Sequence, residues 1–115
     1  MKKIKYSPDA ADKLRALKAQ VSAQYGQDKA KQIAKVITDE IKSLALFEKK
    51  GPAVADLFEV VTDYRYLLVS RNYVFYRIEE EYIRIVNIYN EREDFMWQLF
   101  GIDTTLQETI DYWNE

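Results

Sequence analysis

The sequence predicts an α+β domain: an N-terminal strand, an antiparallel helical hairpin, a three-stranded antiparallel meander forming one sheet, and a short C-terminal helix. Three observations predict it. Apolar residues recur at helical spacing from Ala10 to Ala45. From Tyr64 to Tyr89 they alternate instead with Arg and Tyr, the period of a strand. Between the two regimes stands Lys49-Lys50-Gly51-Pro52, a loop signal. A chain of 115 residues fits one domain spanning 1–115.

Lys3 to Tyr6 reads as a single edge or inserted strand. Ser7-Pro8-Asp9 then opens a helix, with Ser7 as N-cap, Pro8 at the first helical position and Asp9 near the positive helix end. Ala10, Leu14, Leu17 and Val21 give that helix its apolar stripe, and Gly26 stops it. Asp28 is the expected cap of a second helix, whose stripe is Ala30, Ile33, Ala34, Ile37, Ile41, Leu44 and Ala45. Past the loop, Leu57 to Val61 reads as a strand or a strand-like approach.

Tyr64 to Ser70, Tyr73 to Glu79 and Tyr82 to Tyr89 form the meander, turning at Arg71-Asn72 and Glu80-Glu81. In the last strand Ile83 and Ile85 share one face while Val86 and Ile88 fall on the other. Such a strand is either buried on both faces or re-registered by a bulge. Asp94 to Phe100 returns to helical character, and Thr105-Leu106-Gln107-Glu108 is a capping-box pattern opening a helix with Leu106, Ile110 and Trp113. The helices are expected on one sheet face, leaving the other, or part of it, open.

Composition removes several function classes. The chain has no Cys and no His, so disulfides, thiolate zinc sites and the usual general base are missing. No metal and no cofactor are expected. No apolar run approaches the roughly 18 residues of a membrane span, and Met1-Lys2-Lys3 precedes no signal-peptide core. A cytoplasmic protein without a membrane partner is the expectation. Charge is segregated. Residues 1–50 carry a surplus of six positive charges and hold all eleven Lys, whereas residues 51–115 carry a surplus of eight negative. Five of the six Arg lie in that acidic half, several on predicted strands. Arg offers a planar fork for bidentate contacts that Lys lacks.

Four local pieces resemble the RelE/ParE family of type II toxins. Tyr6-Ser7-Pro8-Asp9-Ala10 is similar to the family's strand-to-helix entry. Tyr64-Arg65-Tyr66-Leu67 and Asn72-Tyr73-Val74-Phe75-Tyr76-Arg77-Ile78 resemble its central strands. Ile83 to Ile88, followed by Glu91-Arg92-Glu93-Asp94, resembles its last strand and ending, with Asn90 where many relatives have His. The resemblance spans roughly residues 4–100 and lies closer to the ParE branch. It implies a small toxin neutralised by a cognate antitoxin. One branch of the family cuts mRNA on the ribosome; the ParE branch interferes with DNA gyrase and lacks a comparable catalytic set.

Metal-free RNA cleavage needs a base, cations for the phosphorane charge and an acid for the leaving oxygen. Arg65, Arg71, Arg77 and Arg92 are the candidate cations, and Tyr73, Tyr76 or Tyr89 the candidate proton donors. A nuclease would rest chiefly on Arg65, Tyr89 and Arg92. Its base is hard to find: only Glu59 or Glu91 could serve, and the strands after the helices hold no Lys, where cleaving relatives carry several Lys and Arg. Tyr73 stands about where such relatives carry a catalytic Arg. The expectation is therefore a toxin that binds a protein target such as gyrase, without sequence-specific nucleic-acid binding. Arg65, Arg71, Tyr73, Arg77, Arg92, Trp97 and Phe100 are the candidates for contacting either the target or the antitoxin. A ribosome-dependent mRNA endonuclease and a non-toxic interaction module of the same fold are the alternatives. Each Arg also has a plain structural reading: Arg65 and Arg77 as partners of Glu59, Glu79 or Asp63, and Arg92 clasped to Asp94.

Overall fold

A computed structural model describes residues 1–93 and 99. The order is β1 (Lys3–Tyr6), α1 (Pro8–Tyr25), α2 (Gln27–Ser43), α3 (Val54–Phe58), β2 (Arg65–Val69), β3 (Asn72–Ile78) and β4 (Tyr82–Asn90). The four strands form one mixed sheet in the order β1-β4-β3-β2. β2, β3 and β4 pair antiparallel, as the meander reading requires, and β1 lies parallel to β4 at the edge. The α+β class stands. The predicted C-terminal helix lies outside the described residues.

β4 is longer than β1, so α1 flanks β4 where β1 has ended. Ser7 makes this junction. Its hydroxyl oxygen accepts from the Ala10 N–H at 3.0 Å, capping α1, and its O–H donates to the Val86 carbonyl at 2.6 Å. Its own N–H donates to the Ile85 carbonyl at 2.9 Å. The pairing of β3 with β4 shifts between Phe75 and Tyr76, leaving Val86 as an extra residue. That bulge is the second of the two alternatives for β4. It returns Ile88 to the face of Ile83 and Ile85.

Helices α1 and α2 cover this first sheet face. Ala10, Ile37, Ile41 and Leu44 meet Leu67, Val69, Val74, Tyr76, Ile83, Ile85 and Ile88 in the main core, with Leu14, Leu17 and Ile33 half-buried beside it. The second face is partly covered too. Buried Val54, Phe75 and Tyr89 gather Phe58, Tyr66, Tyr73, Val86 and Leu99 around them.

Three local expectations are corrected. Leu57 to Val61 contains no strand: α3 occupies Val54–Phe58 and ends at Glu59 in the left-handed region, φ 55°. Burial of Val54 and packing of Phe58 on Tyr66 and Tyr73 at 6.1 Å decide for a helical turn. The first hairpin turns at Ser70-Arg71, φ 50° and 64°, and not at Arg71-Asn72. Asn72 is buried in β3, its amide donating to the Ser70 carbonyl at 2.8 Å. Asp28 does not cap α2; Gly26, at φ 92°, ends α1 and begins α2 with no side-chain cap. That backbone is strained for any residue with a Cβ.

Candidate functional site: strand cations and a helical groove

The cations singled out by the sequence fall in different places and do not converge. Arg65 opens β2 on the face that carries Tyr76. Its Nε donates to the Gly51 carbonyl at 2.7 Å, and a terminal nitrogen reaches the Lys49 carbonyl at 3.4 Å. The guanidinium thus fastens the loop after α2. Arg77 points to the second face, 3.1 Å from Asp63, one of the pairings its plain structural reading named. Arg71, in the hairpin turn, lies 3.6 Å from Glu91 and is mostly exposed. Arg92 is exposed, and its backbone N–H donates to the Asn90 side-chain oxygen at 3.0 Å. Asp94, Trp97 and Phe100 lie outside the described residues, and with them the Arg92–Asp94 clasp.

The tyrosines are built into the sheet. Tyr89 is 3% exposed. Its hydroxyl accepts from the Asn87 amide at 2.8 Å, and its ring lies 4.9 Å from the Lys13 ammonium. Burial raises the Tyr89 pKa, and the negative charges of Asp9 and Glu93 raise it further. Lys13 in turn holds Glu93 at 3.1 Å, tying α1 to the chain leaving β4. Tyr73 stacks on Phe75 at 6.0 Å. Tyr76 is fully buried; its hydroxyl donates to the Glu48 carbonyl at 2.8 Å and accepts from the Gly51 N–H at 2.9 Å. Burial raises its pKa as well. Of the two candidate bases, Glu91 faces Arg71 and Glu59 ends α3.

A row that sequence reading missed runs across the open part of the second face. Lys5 is register partner of Arg84, and Arg84 of Arg77. Like charges set directly opposite repel. Glu79 offsets the repulsion with bonds of 2.6 and 3.3 Å to Arg84, which lower the Glu79 pKa and raise that of Arg84. Lys5 also sits 4.1 Å above the Tyr82 ring. Alternation along three strands carried this signal, but β1 had no assigned neighbour, so its Lys could not be joined to the row.

Between α1 and α2 lies an open groove in two neighbouring stretches of about 470 and 440 Å³, both lined by Arg15 and Lys18. Its floor is small and apolar: Ala11, Leu14 and Ala34 in one stretch, Ala19 and Ala30 in the other. Lys31 and Lys35 complete a basic rim. Arg15 pairs with Asp12, and Lys35 with Asp39 at 2.6 Å, but these exposed pairs are weak enough to be exchanged for a partner's acids. Among the described residues no group of three or more Asp or Glu is placed to hold a metal ion. Nor, among them, is any helix long and apolar enough to cross a membrane.

A comparison with curated proteins finds no match. Among solved structures, a chain described as "Chromosomal ParDE TA system from P. aeruginosa" superposes with a TM-score of 0.67 at 23% sequence identity. The match covers 78% of this chain and 96% of that one, and it shows a common fold. The family model described as ParE toxin of type II toxin-antitoxin system, parDE, matches residues 4–95. With the mixed sheet, the helical hairpin and the strand sequences all in agreement, the chain belongs to the ParE toxin family of type II toxin–antitoxin systems.

Proposed function

We propose that this chain is a toxin that acts by gripping a protein target, DNA gyrase, and not by cutting mRNA. Membership of the family implies an antitoxin partner. The reading rests chiefly on Arg65. As the leading nuclease candidate it would have to meet phosphate, yet its guanidinium faces the Gly51 and Lys49 carbonyls. Supporting observations point the same way. Tyr89 is buried and made a weaker acid by burial, so it is poorly suited to donate a proton to a leaving oxygen. The chain supplies no His for a base.

The basic rim and small-residue floor of the α1/α2 groove suit an acidic amphipathic segment, and we assign the antitoxin to it. Expression of the chain without antitoxin tests the target class. Induction of a DNA-damage response with translation still running is expected. Arrested translation with transcripts cut within codons, abolished by Arg65→Ala or Arg92→Ala, would instead assign the chain to the nuclease branch. Harmless expression would leave it a non-toxic module.

A further inference from the structure

The turn that follows α2 carries two adjacent large apolar side chains in the open. Leu46 is 68% and Phe47 63% exposed. Their backbone is fixed from both ends. The Leu46 and Phe47 N–H groups donate to the Ser43 carbonyl at 3.2 and 3.0 Å, and the Lys50 N–H donates to the Phe47 carbonyl at 3.0 Å. Just beyond, the buried Tyr76 hydroxyl bridges Glu48 and Gly51, and Arg65 holds the Gly51 carbonyl. The fit at Gly51 is close: a Cβ there would lie 2.2 Å from the Tyr66 carbonyl oxygen. Phe47 and Leu46 are therefore displayed on a rigid base, so little ordering would accompany their burial in a partner.

The acids nearby are already paired, Glu48 with Lys2 at 2.9 Å and Glu40 with Lys50, which leaves basic charge in surplus. Lys42 and Lys49 are exposed and form no ion pair with another described residue. Lys50 is held 2.7 Å from Glu40, and its stem and that of Lys49 flank Phe47 and Ser43 in a shallow, mostly apolar groove. Lysine stems beside an apolar ring extend its contact area while their charges stay at the rim. An apolar tip beside two unpaired lysines suits an apolar pocket rimmed by carboxylates.

We propose that the Leu46–Phe47 turn, with Lys42 and Lys49 at its rim, is the surface by which this chain enters an apolar, acid-rimmed pocket on its protein target. The inference rests on the reading of gyrase as that target, and it separates target binding from the α1/α2 groove. Two double variants test it: Leu46→Ser with Phe47→Ser, and Lys42→Glu with Lys49→Glu. Each alters exposed side chains only, and thermal unfolding followed by circular dichroism checks that each remains folded. Purified gyrase holoenzyme supercoiling relaxed plasmid is the readout.

The wild-type chain is expected to inhibit supercoiling, and the apolar double variant to need at least tenfold more protein for equal inhibition. The charge-reversal variant is expected to lose at least threefold, with a smaller loss at high salt. Phe47→Leu should stay within threefold of wild type. Equal inhibition by wild type and both double variants would overturn the proposal and leave gyrase as the target. No inhibition by the wild type would overturn the gyrase reading and this proposal together.

Discussion

Arg65 looks alike in two roles when only its sequence is read: a strand cation awaiting a phosphate, or a structural clasp. Its contacts with the Gly51 and Lys49 carbonyls favour the clasp. Arg65→Ala should then lower stability by about 1 kcal/mol in denaturant unfolding, less than the roughly 1.5–3 kcal/mol of a charged hydrogen bond because the group is only partly buried. Gyrase inhibition should stay within threefold of wild type once folding is matched, whereas a site residue would lose far more. Tyr76→Phe removes a hydroxyl that serves Gly51 and Glu48 and leaves the Gly51 N–H unpaired. Unfolding should report a loss of about 1–3 kcal/mol; no change would mean that the loop is held otherwise.

Tyr6, Tyr76 and Tyr89 all have pKa values raised by burial. The folded state therefore holds these phenolic protons more tightly than the unfolded chain. Their contribution to stability is fully present below the unfolded value near pH 10 and declines as pH rises through the folded values. Thermal scans should show the melting temperature falling above about pH 10, less steeply in Tyr76→Phe. With no His to titrate, stability should be nearly flat from about pH 6 to 8.

At the scale of elements, the helices were legible because their signals are local. Ser7-Pro8-Asp9 supplies a complete start, and α1 begins at Pro8. The strands were legible from alternation; the break in β4 left burial on both faces or a bulge open, and the register decides for a bulge at Val86. What escaped depends on contacts distant in sequence. Leu57 to Val61 is a short apolar run whose period suits either state; Phe58 meeting Tyr66 and Tyr73 decides it. Asn72 reads as a turn residue until its amide is found bonded to the Ser70 carbonyl inside β3. Gly26 joins two helices in a single residue at φ 92°. Gly26→Ala meets no atom within 4 Å but must adopt that backbone, so it should cost about 1–3 kcal/mol through strain alone. Ser7→Ala should cost about 2 kcal/mol, because both the α1 cap and the tie to the bulge are lost.

For the whole molecule, the segregated charge acquires a spatial meaning. The lysine-rich half builds the helical hairpin, where Lys18, Lys31 and Lys35 edge the groove and Lys42 and Lys49 surround the exposed turn. Five of the six arginines lie farther along the chain, and most of these are engaged with neighbours: Asp63, Glu79, Glu91 or loop carbonyls. Arg alternating with Tyr draws the eye to the sheet, and partner contacts were expected there for that reason. The groove was hidden because small alanines at helical spacing read as ordinary helix, and the turn was hidden because Leu46 and Phe47 directly follow the apolar stripe that ends at Ala45.

The proposal that this ParE-family chain grips gyrase is tested by supercoiling of relaxed plasmid by purified gyrase in the presence of rising amounts of the chain. Progressive loss of supercoiling, matched by Arg65→Ala and weakened by Leu46→Ser with Phe47→Ser, is the predicted result. Normal supercoiling at saturating protein would contradict it.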